Sequence, residues 1–153
     1  MSAAFPLRGL PPFIFGMRRD EVLSAAGEPD AIEAIESEFT GAAERWIYLD
    51  RGIQISFGEE EQWRLEAIDV EDLSVTIEGV RLLGVEAIKL AQHAAHMGIP
   101  DVHVTDDHGE FGKCYESTRA GLLFWAVDGV IVNFTMFPEY DEGGEVVLWP
   151  GTQ

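Results

Sequence analysis

All four histidines of the 153-residue chain, His93, His96, His103 and His108, fall in one window with Asp101, Asp106 and Asp107. Imidazoles and carboxylates can hold a divalent metal, and His93-x-x-His96 has the i,i+3 spacing that can set two imidazoles on one ion. A third ligand is missing at any familiar offset, such as the Glu of a zincin motif. Lys89 also shares the exposed face, four residues before His93. The expectation is solvated histidines, no metal and no cofactor. The single cysteine lies in Gly112-Lys113-Cys114-Tyr115. Lys113 would lower its pKa slightly, but a thiolate nucleophile also needs a positioned base and an oxyanion hole. Nothing local supplies them. The chain has no Gly-x-Ser-x-Gly, no phosphate-cradling glycine loop and no dinucleotide fingerprint. No catalytic residue is expected, and the chain reads as not an enzyme.

A different chemistry comes from aromatics set beside acids. Trp63 follows Glu59, Glu60 and Glu61, and Tyr140 precedes Asp141 and Glu142. Asp106, Asp107 and Glu110 make a third acidic stretch. Ten basic residues against 28 acidic ones leave a formal charge of −18. Such a field repels nucleic acid and anionic membrane, and it speeds association with basic proteins. Trp and Tyr are the side chains that most often anchor protein contacts. The candidate partner-binding residues are therefore Glu59, Glu60, Glu61, Trp63, Asp106, Asp107, Glu110, Tyr140, Asp141 and Glu142, whereas Trp46 and Trp125 are expected to pack a sheet.

These residues need a scaffold, and the stretch from Phe15 to Asp30 marks its start. A helix is predicted over roughly 18–26, with Asp20 and Glu21 in the first turn, where carboxylates favour the dipole. Val22, Leu23, Ala25 and Ala26 form its apolar stripe, Gly27 fits the left-handed exit and Pro29 prevents continuation. Strands are predicted at 45–50, 52–57 and 65–70, the middle one alternating Ile53, Ile55 and Phe57 with Gln54 and Ser56. The segment 31–43 stays open between strand and loose turn. Gly98-Ile-Pro-Asp101 echoes Gly27-Glu-Pro-Asp30. It closes a second helix, predicted over roughly 85–97, whose buried stripe is Ala87, Leu90, Ala91, Ala94 and Met97. Further strands are predicted at 115–118, 121–127, 130–137 and 145–149, with Asp128-Gly129 as a two-residue hairpin turn. The expected fold is α+β: two tandem repeats of a helix followed by an antiparallel β-meander, in one continuous sheet with helices packed on one face. It is a single domain over 1–153, with pseudo-repeats at about 13–72 and about 75–149.

Gly16-Met17-x-x-x-Glu21-Val22, ending in Gly27-x-Pro29-Asp30 and followed by strands, resembles a helix motif of the β-lactamase-inhibitor-protein-like fold. It is also similar to small outer-membrane assembly lipoproteins of that architecture. The resemblance implies a sheet whose free face grips protein. Arg18 stands where family copies tend to have a capping Ser or Thr. The signal peptide, disulfides and anchor cysteine of exported members are also missing, so a cytoplasmic location is expected.

The function expected is an acidic cytosolic inhibitor, an immunity protein that blocks the basic cleft of a toxin such as a nuclease. The partner would be a basic protein, with neither nucleic acid nor membrane involved, and the oligomeric state is left open. An alternative is a small-molecule-binding or enzymatic domain with a pocket between helices and sheet. A third is a plain oligomerising module.

Overall fold

The structure, a computed structural model, describes residues 2–38, 41–109 and 112–150. Its frame is one eight-stranded antiparallel sheet. The strands are β4 (Ala31–Ser37), β5 (Gly41–Tyr48), β6 (Ile53–Gly58), β7 (Leu65–Val70), β9 (His103–Asp107), β10 (Lys113–Ser117), β11 (Leu122–Val127) and β12 (Val130–Met136). Their spatial order is β4-β5-β6-β7-β12-β11-β10-β9. Each half is an up-and-down run, and β7 pairs with β12 where the halves meet. Short pairs decorate this frame: β1 (Ala3–Ala4) with β8 (Thr76–Ile77), β2 (Gly9–Leu10) with β3 (Phe13–Ile14), and β13 (Glu139–Tyr140) with β14 (Val147–Leu148).

Period-two patterning decides which face is covered. Ile53, Ile55 and Phe57 are buried, as are Ile68 and Val70, Phe134 and Met136, and Leu122, Phe124 and Ala126. Their neighbours in sequence, Gln54, Ser56, Asp69, Thr135, Leu123 and Trp125, share the opposite face and stay half-exposed. Aromatic rings pack across the buried face, Trp46 on Phe57 with centroids 4.8 Å apart and Phe124 on Phe134 at 6.0 Å. Such tilted pairs add roughly 0.5–1.5 kcal/mol beyond the area they bury.

The expectation of two helix-plus-meander repeats with helices packed on the sheet is corrected here. The protein is mostly β, 48% strand against 17% helix, with two short α-helices among the described residues. Helix α1 spans Arg19–Ala26 and α2 spans Leu90–His96. The first buries Val22 alone, and the second buries Leu90 and Ala94. Leu23 is 41% exposed, and Ala25 and Ala91, both placed in apolar stripes, also face solvent. Eight and seven residues give only about two turns each, too little surface to cover eight strands. Short strands and irregular chain extend the core instead: Leu10, Phe13 and Phe15 from the N-terminal arm, and Val75, Ile77, Leu82 and Leu83 from the connection after β7. Hydrophobic periodicity located both helices but overstated how much of the core they make.

Local chemistry fixes the ends of α1. The Arg18 backbone N–H donates to the Glu21 carboxylate at 3.0 Å, which satisfies one orphan donor without a capping hydroxyl. At the other end, the Tyr48 hydroxyl donates to the Gly27 carbonyl at 2.8 Å, tying helix exit to sheet. Burial raises the Tyr48 phenol above its ordinary pKa, with Arg51 pulling the other way.

No helix among the described residues is long and apolar enough to cross a membrane. The core itself is exposed to a direct test. Phe134→Ala should cost about 3–5 kcal/mol, since it empties a fully buried ring site on a central strand. Urea unfolding of the variant measures the loss; a change below about 1 kcal/mol would mean the site collapses around the cavity.

Candidate protein-binding cleft

The β6–β7 connection carries the acidic run as a tight 3-10 turn, Glu59–Glu61. Gln62 and Trp63 follow it with φ of 57° and 59°, an uncommon left-handed pair for residues this large. The Trp63 N–H closes the turn by donating to the Gly58 carbonyl at 2.8 Å. Glu59 turns inward to the frame, where its carboxylate accepts from the Ala42 N–H at 3.1 Å. A Cβ on Gly41 would lie 2.7 Å from the same carboxylate oxygen, so glycine makes room for that contact.

Glu60 and Glu61 point elsewhere, into a cleft of ≈ 290 Å³ that Glu66, Phe137 and Tyr140 also line. Glu66 is the residue that the sequence reading missed. The register shifts between Ser56 and Phe57, so β7 carries one extra residue there, Glu66, between Leu65 and Ala67. This bulge lays its carboxylate over Gly58, where a Cβ would meet it at 2.6 Å. Partial burial, then Glu61, then Glu60 raise the Glu66 pKa to about 7. Burial and Glu60 likewise raise Glu61. Burial followed by Glu61, Glu66 and Glu60 raises the Tyr140 phenol. Among the described residues, no Lys, Arg or His lines this cleft. Glu61 and Glu66, both partly desolvated, thus share this space with Glu60, and no cation stands among its described lining residues.

The remaining candidates disperse. Tyr140 also borders an open cleft of ≈ 740 Å³ on its other side, with Asp141, Glu142 and Arg119. Asp141 is committed to the β13–β14 turn, where one carboxylate oxygen accepts the N–H groups of Glu145 and Val146 at 3.0 and 3.2 Å. Trp63 does not line the acidic cleft. Its ring carries the Arg19 guanidinium at 4.4 Å, and Arg19 pairs in turn with Glu44 at 3.3 Å. Asp106 and Asp107 sit on β9 at the far edge of the sheet, five strand spacings from β6, or about 24 Å. The Gly109 N–H and then Lys113 hold Asp107 below its ordinary pKa. Glu110 lies outside the described residues.

The other chemistry shows no activation. Burial, then Asp106 and Glu116, raises the Cys114 pKa, the opposite of a reactive thiolate. Among the described residues, no group of three or more His, Cys, Asp or Glu is placed to hold a metal ion. Of the four histidines, His108 stacks near Trp125 at 5.8 Å and His103 contacts the Asp101 carbonyl through Nδ1 at 2.7 Å.

No protein-family model matches the chain, and no curated protein matches it. Among solved structures, it is similar to an extracellular protein containing a SCP domain from Bacillus anthracis str. Ames. The TM-score is 0.51 at 12% identity, over 81% of this chain and 44% of that one. The chain therefore spans less than half of that protein, and at this identity the likeness concerns the fold alone.

The crowded carboxylates predict a pH effect of definite sign. A carboxyl raised above its unfolded pKa stabilises the fold below the unfolded value, near 4.5, and that contribution fades as pH rises through about 7. Glu66→Gln should therefore stabilise the protein at pH 8, on the order of 1 kcal/mol after allowing for solvent screening, and have little effect near pH 4. Urea midpoints at the two pH values check this; equal effects at both would mean that Glu66 titrates normally.

Proposed function

We propose that the chain is an acidic, cytoplasmic protein-binding inhibitor, an immunity protein that occupies the basic cleft of a toxin such as a nuclease. The observation that carries this reading is the convergence of Glu60, Glu61 and Glu66 with the exposed Tyr140 in a cleft lined by no base. Each carboxylate raises the cost of ionising its neighbours, and an incoming Arg or Lys would remove that cost. A nuclease presents such cations because it must hold phosphates. Tyr140 offers an apolar ring with a polar tip at the rim, a side chain suited to anchor a contact. The net charge of −18 would steer the encounter. The similarity of the Gly16–Asp30 stretch to the β-lactamase-inhibitor-protein-like group is a further, weaker support for a protein-gripping role.

The test is affinity capture by the tagged chain from lysate of its source organism, at low and moderate salt, followed by an inhibition assay on the captured protein. The expected partner is one basic protein whose activity the chain suppresses. Its association rate should fall by about tenfold between low and moderate salt, with dissociation changing less. Replacing Glu60, Glu61 and Glu66 together by Gln should weaken binding by about a hundredfold, the range for truncated charge partners at an interface. A neutral partner with salt-independent association would sink the proposal. A small molecule retained in the larger cleft beside Tyr140 would favour a ligand-binding domain instead.

A further inference from the structure

The two edges of the eight-stranded sheet are finished differently. At one edge, β9 is a five-residue strand, and its register on β10 shifts between Cys114 and Tyr115, which leaves Thr105 as the extra residue. That bulge blunts the edge against further pairing. At the other edge, β4 runs seven residues against β5 with no register shift. It contains no proline, no lysine and no bulge, and the charges it does carry, Glu33 and Glu36, are both negative, so they discourage an acidic strand and admit a basic one. Six of its seven residues are exposed, with Ile32 at 55% and Ile35 at 39%.

The side chains of β4 repeat an order. Read along the strand they run Ile32, Glu33, Ala34, Ile35, Glu36. Glu33 and Ile35 lie on the open face of the sheet, opposite Arg45 and Ala43, while Ile32, Ala34 and Glu36 lie on the other. Each face of the edge therefore offers one exposed isoleucine and one glutamate. Glu33 has only a distant cation, Arg45 at 4.0 Å. The strand also ends beside the acidic cleft, since its partners Ala42 and Ala43 line that cleft.

We infer that β4 is a docking edge for an extended segment of a basic protein, added antiparallel as a ninth strand. Such addition satisfies the outward N–H and C=O groups of β4, and the flanking side chains select the segment. Opposite residues of an antiparallel pair interact directly. The matching segment thus reads base, apolar, small, base, apolar, so that its bases meet Glu36 and Glu33 and its apolar residues meet Ile35 and Ile32. A second copy of this chain fits less well. Two β4 strands paired about Ala34 would set Glu33 against Ile35 and Ile32 against Glu36, and would bring together two charges of −18. The inference rests on the reading of the chain as a binder of a basic partner and adds where that partner is gripped.

The test uses an end-capped synthetic peptide, threonine-lysine-valine-threonine-lysine-valine-threonine, with amide exchange and NMR shifts of the intact protein as readouts. The expected result is added protection, on peptide binding, of the amides within 31–37 that face away from β5. Binding should weaken about tenfold for an N-methylated peptide of equal charge, for a peptide with lysine and valine exchanged, and for Glu33→Lys with Glu36→Lys. These are exposed positions, so the variant should fold; its far-ultraviolet spectrum checks this. Equal binding of the N-methylated peptide, or no added protection of the outward-facing amides within 31–37, overturns the edge. Shifts confined to Glu60, Glu61 and Glu66 also overturn it and leave the cleft reading standing. Protection of 31–37 without peptide, in a dimer seen by sedimentation, replaces the foreign segment with a second copy and overturns it too. Protection that persists when Glu60, Glu61 and Glu66 are all Gln supports the edge independently of the cleft.

Discussion

The whole frame depends on a short junction at its centre. Strands β7 and β12 pair through three residue pairs only, Val70 with Phe134, Asp69 with Thr135 and Ile68 with Met136. These residues lie about 65 positions apart in the chain, so closing that distance costs entropy that three ladder rungs cannot offset alone. The deficit is made up on the covered face, where Ile68, Val70, Phe134 and Met136 are all buried at the centre of one continuous core. On the open face, the Thr135 hydroxyl donates to the Asp69 carboxylate and ties the same junction by side chains. Loss of this junction would leave two four-stranded halves, each with a new open edge.

The junction also sets the positions available for function. By joining the halves at β7 and β12, it places β4 and β9 at opposite edges and opens β4 to solvent. Strand β12 leads on to Phe137 and Tyr140, which reach the β6–β7 turn that bears Glu60 and Glu61. An aromatic from one half thereby meets acids from the other, nearly 80 residues earlier. The open face between the edges carries Gln54, Ser56, Asp69 and Thr135 beside Leu123 and Trp125, all half-exposed.

Like-charge crowding is the second feature of the molecule. A total of −18 spread evenly would be a solubilising surface and little more. Here the bulge at Glu66 adds a third carboxylate to Glu60 and Glu61 in a partly dry cleft, while Arg19 is engaged on Trp63 and Glu44 and Lys113 on Asp107. The fold therefore keeps its acids unneutralised where Tyr140 is exposed.

Local pattern made much of the frame legible. Alternation placed β6 and β7 almost to the residue, because each has one buried face and period two leaves a clear trace, and the apolar run ending at the Asp128-Gly129 turn placed β11. Gly27 and Pro29 marked the end of α1 for steric reasons that need no tertiary context. Composition alone established the acidic field. The tertiary structure decided what periodicity does not encode. The exposed β4 and β9 bury neither face fully, so alternation left the first undecided and the second unseen. An amphipathic stripe says which side of a helix prefers the core, not how much core the helix supplies, and strands supplied most of it. The bulge that aims Glu66, the cation over Trp63 and the meeting of Tyr140 with Glu60 and Glu61 arise from pairing between distant segments, and no local run of residues carries that information.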